Sequence, residues 1–203
     1  MLDTANPLTF EADTHTYRYA GVVVPGVTSL LQSLHSFAGV PLDVLEEAQH
    51  RGSSVHAACH YLDDDDLDEP RLKIEQPKVH AYLAGYRKFL RDCQPNYSAI
   101  EVPVFHKVHR YAGTPDRIGE LTYGGKRIRN AVIDLKTSLS SHPVWAIQCS
   151  AYAHAAGMPT ARQFSLQLFP DGTYRLKEWM DPDAFPAFVS LLTLRGWKLR
   201  NHL

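Results

Sequence analysis

The sequence predicts an α/β fold, a central mixed β-sheet flanked by helices, on three observations. Residues 99–105, 109–121 and 128–137 read as successive strands rich in β-branched and aromatic residues, with Tyr123-Gly124-Gly125-Lys126 as the turn that folds one back on the next. Helix signals bracket this block. Pro41 with Asp43, Glu46 and Glu47 opens one helix, and His142-Pro143-Val144-Trp145-Ala146-Ile147 looks like the opening of another. Finally, Ile133 and Leu135 alternate with Asp134 and Lys136, so the last strand has one apolar face and one polar face at its end. The pattern leaves strand order open.

Taken in order, Leu8 to Phe10, Tyr17 to Tyr19 and Val22 to Val24 form a small antiparallel entry unit, turning at Ala12-Asp13 and Ala20-Gly21. Thr28 or Ser29 is the candidate cap of a short helix. The helix begun at Pro41 carries His56, and a second helix runs from about Pro77 to Asp92. Between them, Asp63-Asp64-Asp65-Asp66-Leu67-Asp68-Glu69 reads as a solvated loop, because consecutive like charges repel; it lacks the glycine turn of a calcium loop. After the three strands, the helix carrying Gln148 is terminated by Gly157 and Pro159. A hairpin follows, 163–169 and 173–178, turning across Pro170-Asp171-Gly172. A last helix from about Asp183 to Leu199 aims Phe185, Phe188, Leu191, Leu192 and Trp197 at the core. The chain is expected to be one domain over 1–203: a β-hairpin and short helix in 1–40, a helical segment in 41–95, a catalytic core in 96–180 and a final helix in 181–203.

Composition narrows the classes. With 203 residues and 44% hydrophobic content the chain can bury a full core. A formal net charge of -1 and a pI near 6.8 are unlike a protein that coats nucleic acid. Polyanion contacts would have to come from local patches, for which Lys107 to Arg110, Lys126 to Arg129 and Arg195 to Arg200 are the candidates. No leader pattern and no long apolar run is present, which predicts an intracellular chain without membrane association. Cys59, Cys93 and Cys149 are odd in number and unpaired in spacing, which argues against a disulfide framework.

The chemistry centres on Asp116 and on Ala131-Val132-Ile133-Asp134-Leu135-Lys136-Thr137-Ser138. A hairpin would bring the two aspartates together. Two carboxylates about 4 Å apart at an effective dielectric near 20 repel by roughly 4 kcal/mol. A divalent cation resolves that conflict, and oxygen ligands suit magnesium or manganese, so the constellation points to metal-dependent phosphodiester cleavage with Lys136 orienting water or holding phosphate. His56 and His60, four apart on a helix, also allow a zinc reading, but His56-Ala57-Ala58-Cys59-His60 lacks the glutamate that a zinc-protease motif requires.

Gly113-Thr114-Pro115-Asp116, then Val132 to Ser138, then Gln148-Cys149-Ser150-Ala151-Tyr152, with Arg51-Gly52-Ser53-Ser54-Val55-His56 upstream, resembles in order and spacing the RecB-like branch of the PD-(D/E)XK nucleases. The resemblance implies a restriction-endonuclease-like core in which His56, Asp116 and Asp134 are metal ligands, Lys136 is the catalytic lysine, and Gln148, Tyr152, Thr137 and Ser138 contact DNA. Glu101 resembles an acidic position that some members keep near the metal. One or two ions of magnesium or manganese are implied; three cysteines cannot supply the four ligands of the iron-sulfur cluster that some relatives hold. Similarity to small phage-type and mitochondrial genome-maintenance exonucleases implies a DNA exonuclease working from ends in replication, recombination or repair, in the cytoplasm of a bacterial or phage-infected cell. The alternatives are an endonuclease of restriction or nicking type using the same site, or a DNA-binding module with a degenerate site. No P-loop is present, so a helicase, recombinase or single-strand-binding protein is a candidate partner.

Overall fold

The computed structural model describes residues 7–34 and 40–203; the parts of the expected entry unit at 1–6 and 35–39 lie outside the described residues. Ten strands and six helices follow one another as β1 (Leu8–Glu11), β2 (Thr16–Tyr19), β3 (Val22–Val24), α1 (Val27–Leu31), α2 (Leu42–Asp63), α3 (Glu69–Glu75), α4 (Pro77–Cys93), β4 (Asn96–Ile100), β5 (Val104–His106), β6 (Tyr111–Gly113), β7 (Arg117–Tyr123), β8 (Lys126–Lys136), α5 (Val144–Ala155), β9 (Arg162–Leu168), β10 (Tyr174–Trp179) and α6 (Ala184–Arg200).

The centre is a five-stranded sheet in the order β10-β9-β8-β7-β4. All its pairings are antiparallel except β8 with β9, which run parallel with Asp134 opposite Ser165 and Lys136 opposite Gln167. A parallel pair needs a crossover, and α5 supplies it. The sheet is therefore mixed and flanked by helices, as predicted.

Alternation along β8 sorts the two faces. Ala131, Ile133 and Leu135 join Phe164, Leu166 and Leu168 against Val55, Leu83, Tyr86 and Phe89 of α2 and α4. Val132 and Ile118 face the other way, against α1, α5 and Phe188 of α6. Asp134 and Lys136 thus share the α5 face, while Leu135 is committed to the opposite core. A separate three-stranded sheet β1-β2-β3 packs on Ala112 of β6, and the Ala112 amide donates to Pro25 O at 2.9 Å.

Several expectations are corrected. The strands expected at 99–105 and 109–121 are each broken: β4 stops at Ile100, and β5 pairs with β6 in a small sheet of its own. Glu101 and Asp116 therefore sit at strand ends, not within strands, and Glu101 takes a left-handed φ of 50° that alternation could not foresee. The α1 cap is Gly26 rather than Thr28 or Ser29; the Ser29 hydroxyl instead donates back to Gly26 O at 2.9 Å. The acidic run is not wholly a loop. Asp63 ends α2 in the interior, and Glu69 opens α3, where it pairs with Arg87 and His80. Trp197 is 48% exposed, so α6 buries Phe188 but leaves its last turns open.

Candidate active site

Four elements converge at the carboxyl end of β8. Asp116 arrives immediately before β7, Asp134 and Lys136 end β8, His56 projects from α2 and Gln148 from α5. Asp116 Oδ2 accepts the Leu135 amide at 2.6 Å, which ties the two aspartate segments by a charge-assisted bond. His56 Nε2 meets Leu135 O at 3.1 Å and its Nδ1 lies 3.3 Å from Asp116 Oδ1. A carbonyl only accepts, so Nε2 carries a proton; facing an ionised carboxylate, Nδ1 carries one as well. The arrangement favours the protonated imidazole. Lys136 Nζ lies 2.5 Å from Asp134 Oδ2 and donates to Gln148 Oε1 at 3.0 Å. Gln148 in turn donates to the Tyr152 hydroxyl at 3.1 Å.

The environment splits the two carboxylates. Asp116 is pushed up by burial, but His56, Lys136 and the Leu135 amide outweigh this and hold it below the ordinary value. Asp134 is pushed up to about 6, first by burial and then by the charge of Asp116, against the pull of Lys136. The Lys136 ammonium is the partner of Asp134 Oδ2, and its charge and hydrogen bond only partly offset the burial of that carboxylate. His56 and Lys136 are both raised, since their carboxylate neighbours outweigh the burial that would lower them.

Two neighbouring carboxylates beside an imidazole are a donor set that fits a hard divalent cation, which would share or take over Asp134 Oδ2 from Lys136. The groups are not gathered into a ready cage, however. Among the described residues, no three His, Cys, Asp or Glu side chains stand spaced to hold an ion. Lys136 stands against Asp134 and His56 against Asp116 instead.

Directly behind Asp116 lies a layer that sequence reasoning missed. Arg117 is 0% exposed; its Nε donates to Asp63 Oδ2 at 2.8 Å and its Nη1 to Asp116 O at 2.8 Å. The Tyr86 hydroxyl lies 2.7 and 2.8 Å from the two Asp63 oxygens. Burial raises the Asp63 carboxyl despite Arg117 and Tyr86, so the ion pair does not fully offset the cost of burying that charge. Glu101 extends the layer: its Oε2 meets His60 Nδ1 at 3.2 Å, its Oε1 is 3.7 Å from Arg117, and its amide donates to Asp116 O at 3.0 Å. Glu101 thus braces Asp116, and His60 serves Glu101 and Asp64. No periodicity marks Asp63, because its partner is distant in sequence.

The expected DNA contacts fall differently. Gln148 lines the cavity beside Lys136. Tyr152 is 3% exposed, and its ring packs where a side chain on Gly113 would stand, leaving it little surface for a DNA strand; glycine at this position is what allows the approach. Tyr152 also lines the cavity, and its hydroxyl accepts from Gln148. Thr137 is half-buried beside Gly52 of α2, and Ser138 is exposed, its hydroxyl donating to Ser140 O at 3.3 Å. The patch at Lys126 to Arg129 opens β8 at the end away from the site, roughly 17 to 33 Å along the strand at about 3.3 Å per residue, and Arg127 pairs with Glu120. Cys59, Cys93 and Cys149 are buried and free, and no described helix is long and apolar enough to cross a membrane.

The converging side chains line a cavity of about 560 Å³ that Phe10, His15 and Tyr17 also line. No family model and no curated protein matches the chain. Among solved structures, LHK-Exo in complex with dAMP is similar over 88% of this chain and 89% of its own, with 10% identity and a TM-score of 0.49. SSO0001 is similar over 82% and 81%, with 16% identity and a TM-score of 0.36. At scores this low neither likeness bears on activity.

Proposed function

We propose that the chain is a metal-dependent deoxyribonuclease of the PD-(D/E)XK type, and specifically its RecB-like branch, that hydrolyses DNA from its ends. The observation that carries this reading is the convergence of Asp116, Asp134, Lys136 and Gln148 on one cavity, with Asp134 buried and ion-paired to Lys136. Asp116 and Asp134 would hold magnesium or manganese, joined by His56 once it loses its Nδ1 proton. When bound, the ion would neutralise the scissile phosphate and lower the pKa of the attacking water.

The chain's own groups supply the rest. Lys136 offers a compact ammonium to a phosphate oxygen or to water, and Gln148, fixed by Tyr152, sets its direction. Asp116 is held ionised by His56 and the Leu135 amide, whereas Asp134 gives up its proton near neutral pH. This split suits one carboxylate to permanent charge and the other to exchange of a proton for a cation. Supporting proteins, if any, would provide unwinding.

The test is digestion of linear single-stranded, linear duplex and closed circular DNA in magnesium, in manganese and with chelator. End-dependent products in metal only are expected. Cleavage of closed circles at the same rate would move the reading to an endonuclease, and binding without cleavage to a degenerate module.

A further inference from the structure

The far wall of the cavity has no part in phosphodiester chemistry as described. Phe10 stacks on Tyr17 with centroids 4.6 Å apart and planes 28° from parallel. The His15 ring stands edge-on to both, at 5.1 Å from Phe10 and 5.8 Å from Tyr17. Tyr17 is buried, and its hydroxyl meets Thr114 Oγ1 at 2.8 Å, which couples the hairpin to the segment carrying Asp116. Phe10 is half-buried and His15 exposed, both on the cavity. His15 holds a left-handed φ of 49°, a conformation non-glycine residues rarely adopt, with its amide donating to Ala12 O at 3.2 Å. Core packing accounts for Tyr17 but not for a strained, exposed ring at the cavity edge.

We infer that Phe10 and His15, braced by Tyr17, form a stacking platform for an unpaired nucleobase beside the phosphate held at Asp116, Asp134 and Lys136, so that the substrate end enters single-stranded. This rests on the nuclease reading. Stacking needs only a π-face, which every base has, but inside a duplex both faces are already covered by neighbouring bases. The cavity has the volume of a small-molecule pocket, whereas the major groove of a duplex alone is about 12 Å wide. With a net charge of -1 the chain has no broad attraction for DNA, so grip must come from a few local contacts of this kind.

The experiment uses a short single-stranded oligonucleotide carrying one 2-aminopurine, moved stepwise from the end, bound to the wild-type chain in calcium. Fluorescence quenching is expected at one position, lost in Phe10→Ala/His15→Ala with about a 10-fold weaker affinity. Phe10→Leu, which keeps apolar volume in the hairpin, should lose quenching too, and Phe10→Trp should keep it. In magnesium, the double variant should raise KM about 10-fold, and an abasic residue at the quenched position should erase its difference from wild type. No quenching at any position, quenching unchanged in the folded Phe10→Leu and double variants, or equal affinity of the wild type for blunt duplex would overturn the platform. A wild-type chain that shows Phe10-dependent quenching but cuts no DNA would sink the nuclease reading alone; one that cuts, with variants kinetically identical to it, would sink the platform alone.

Discussion

Asp63 and Asp134 are both aspartates with nearly inaccessible side chains, 4% and 3% exposed, and they are built to opposite ends. Asp63 has Tyr86 across both oxygens and a fully buried guanidinium donating to one of them. Asp134 has one lysine as its partner, and burial together with a second carboxylate raises its pKa. Satisfied burial makes Asp63 a structural anchor for the chain leading into Asp116. Asp134, countered by Lys136 alone, is a place where a cation would share or displace that ammonium. The contrast separates what holds this site from what the site would do.

The largest expected effect breaks the contrast on its active side: Asp134→Ala or Asp116→Ala should abolish cleavage while circular dichroism shows an intact fold. Near wild-type cutting by either folded variant in magnesium would refute the assigned site. On the structural side, Asp63→Ala should destabilise the protein by about 3–5 kcal/mol, because Arg117 is left buried without its partner. Urea unfolding measures this, and a change below about 1 kcal/mol would mean that the pair is not the anchor.

Lys136→Ala should lower turnover roughly 10²- to 10³-fold, the scale of losing one preorganised donor, with DNA affinity in calcium nearly kept. If affinity collapsed while single-turnover chemistry stayed intact, the lysine would be a binding residue. A smaller effect is expected for His56→Ala: weaker metal binding and a shifted manganese-to-magnesium preference, since imidazole suits manganese better. An unchanged metal titration would confine His56 to bracing Asp116.

The subtlest test concerns stability without metal. Asp134 has a folded pKa of about 6 against an ordinary 3.8, so its contribution is fully present below about pH 4 and is lost as pH rises through about 6. Asp134→Asn should therefore raise the metal-free Tm at pH 7 by a few degrees and flatten the dependence of stability on pH in that window. An Asn variant less stable than wild type at pH 7 would show that Lys136 needs the charge more than the carboxylate resents its burial.

How much of this was written locally follows from the range of each interaction. The period of two along β8 determined that Asp134 and Lys136 share a face and that Ile133 and Leu135 take the other, because a strand cannot do otherwise once one face is buried. The β9–β10 hairpin, α4 and the helix carrying Gln148 were legible from turn residues and flanking prolines for the same reason. The tertiary structure alone decided three things. It parted the strands around Glu101 and Asp116, setting both at strand ends. It turned one residue of an acidic run, Asp63, inward onto Arg117. It packed the Tyr152 ring over Gly113, with its hydroxyl toward Gln148. The first two depend on partners far away in the chain, and the third on the ring of Tyr152 packing over Gly113; desolvation and the space left after packing leave no mark in local sequence spacing.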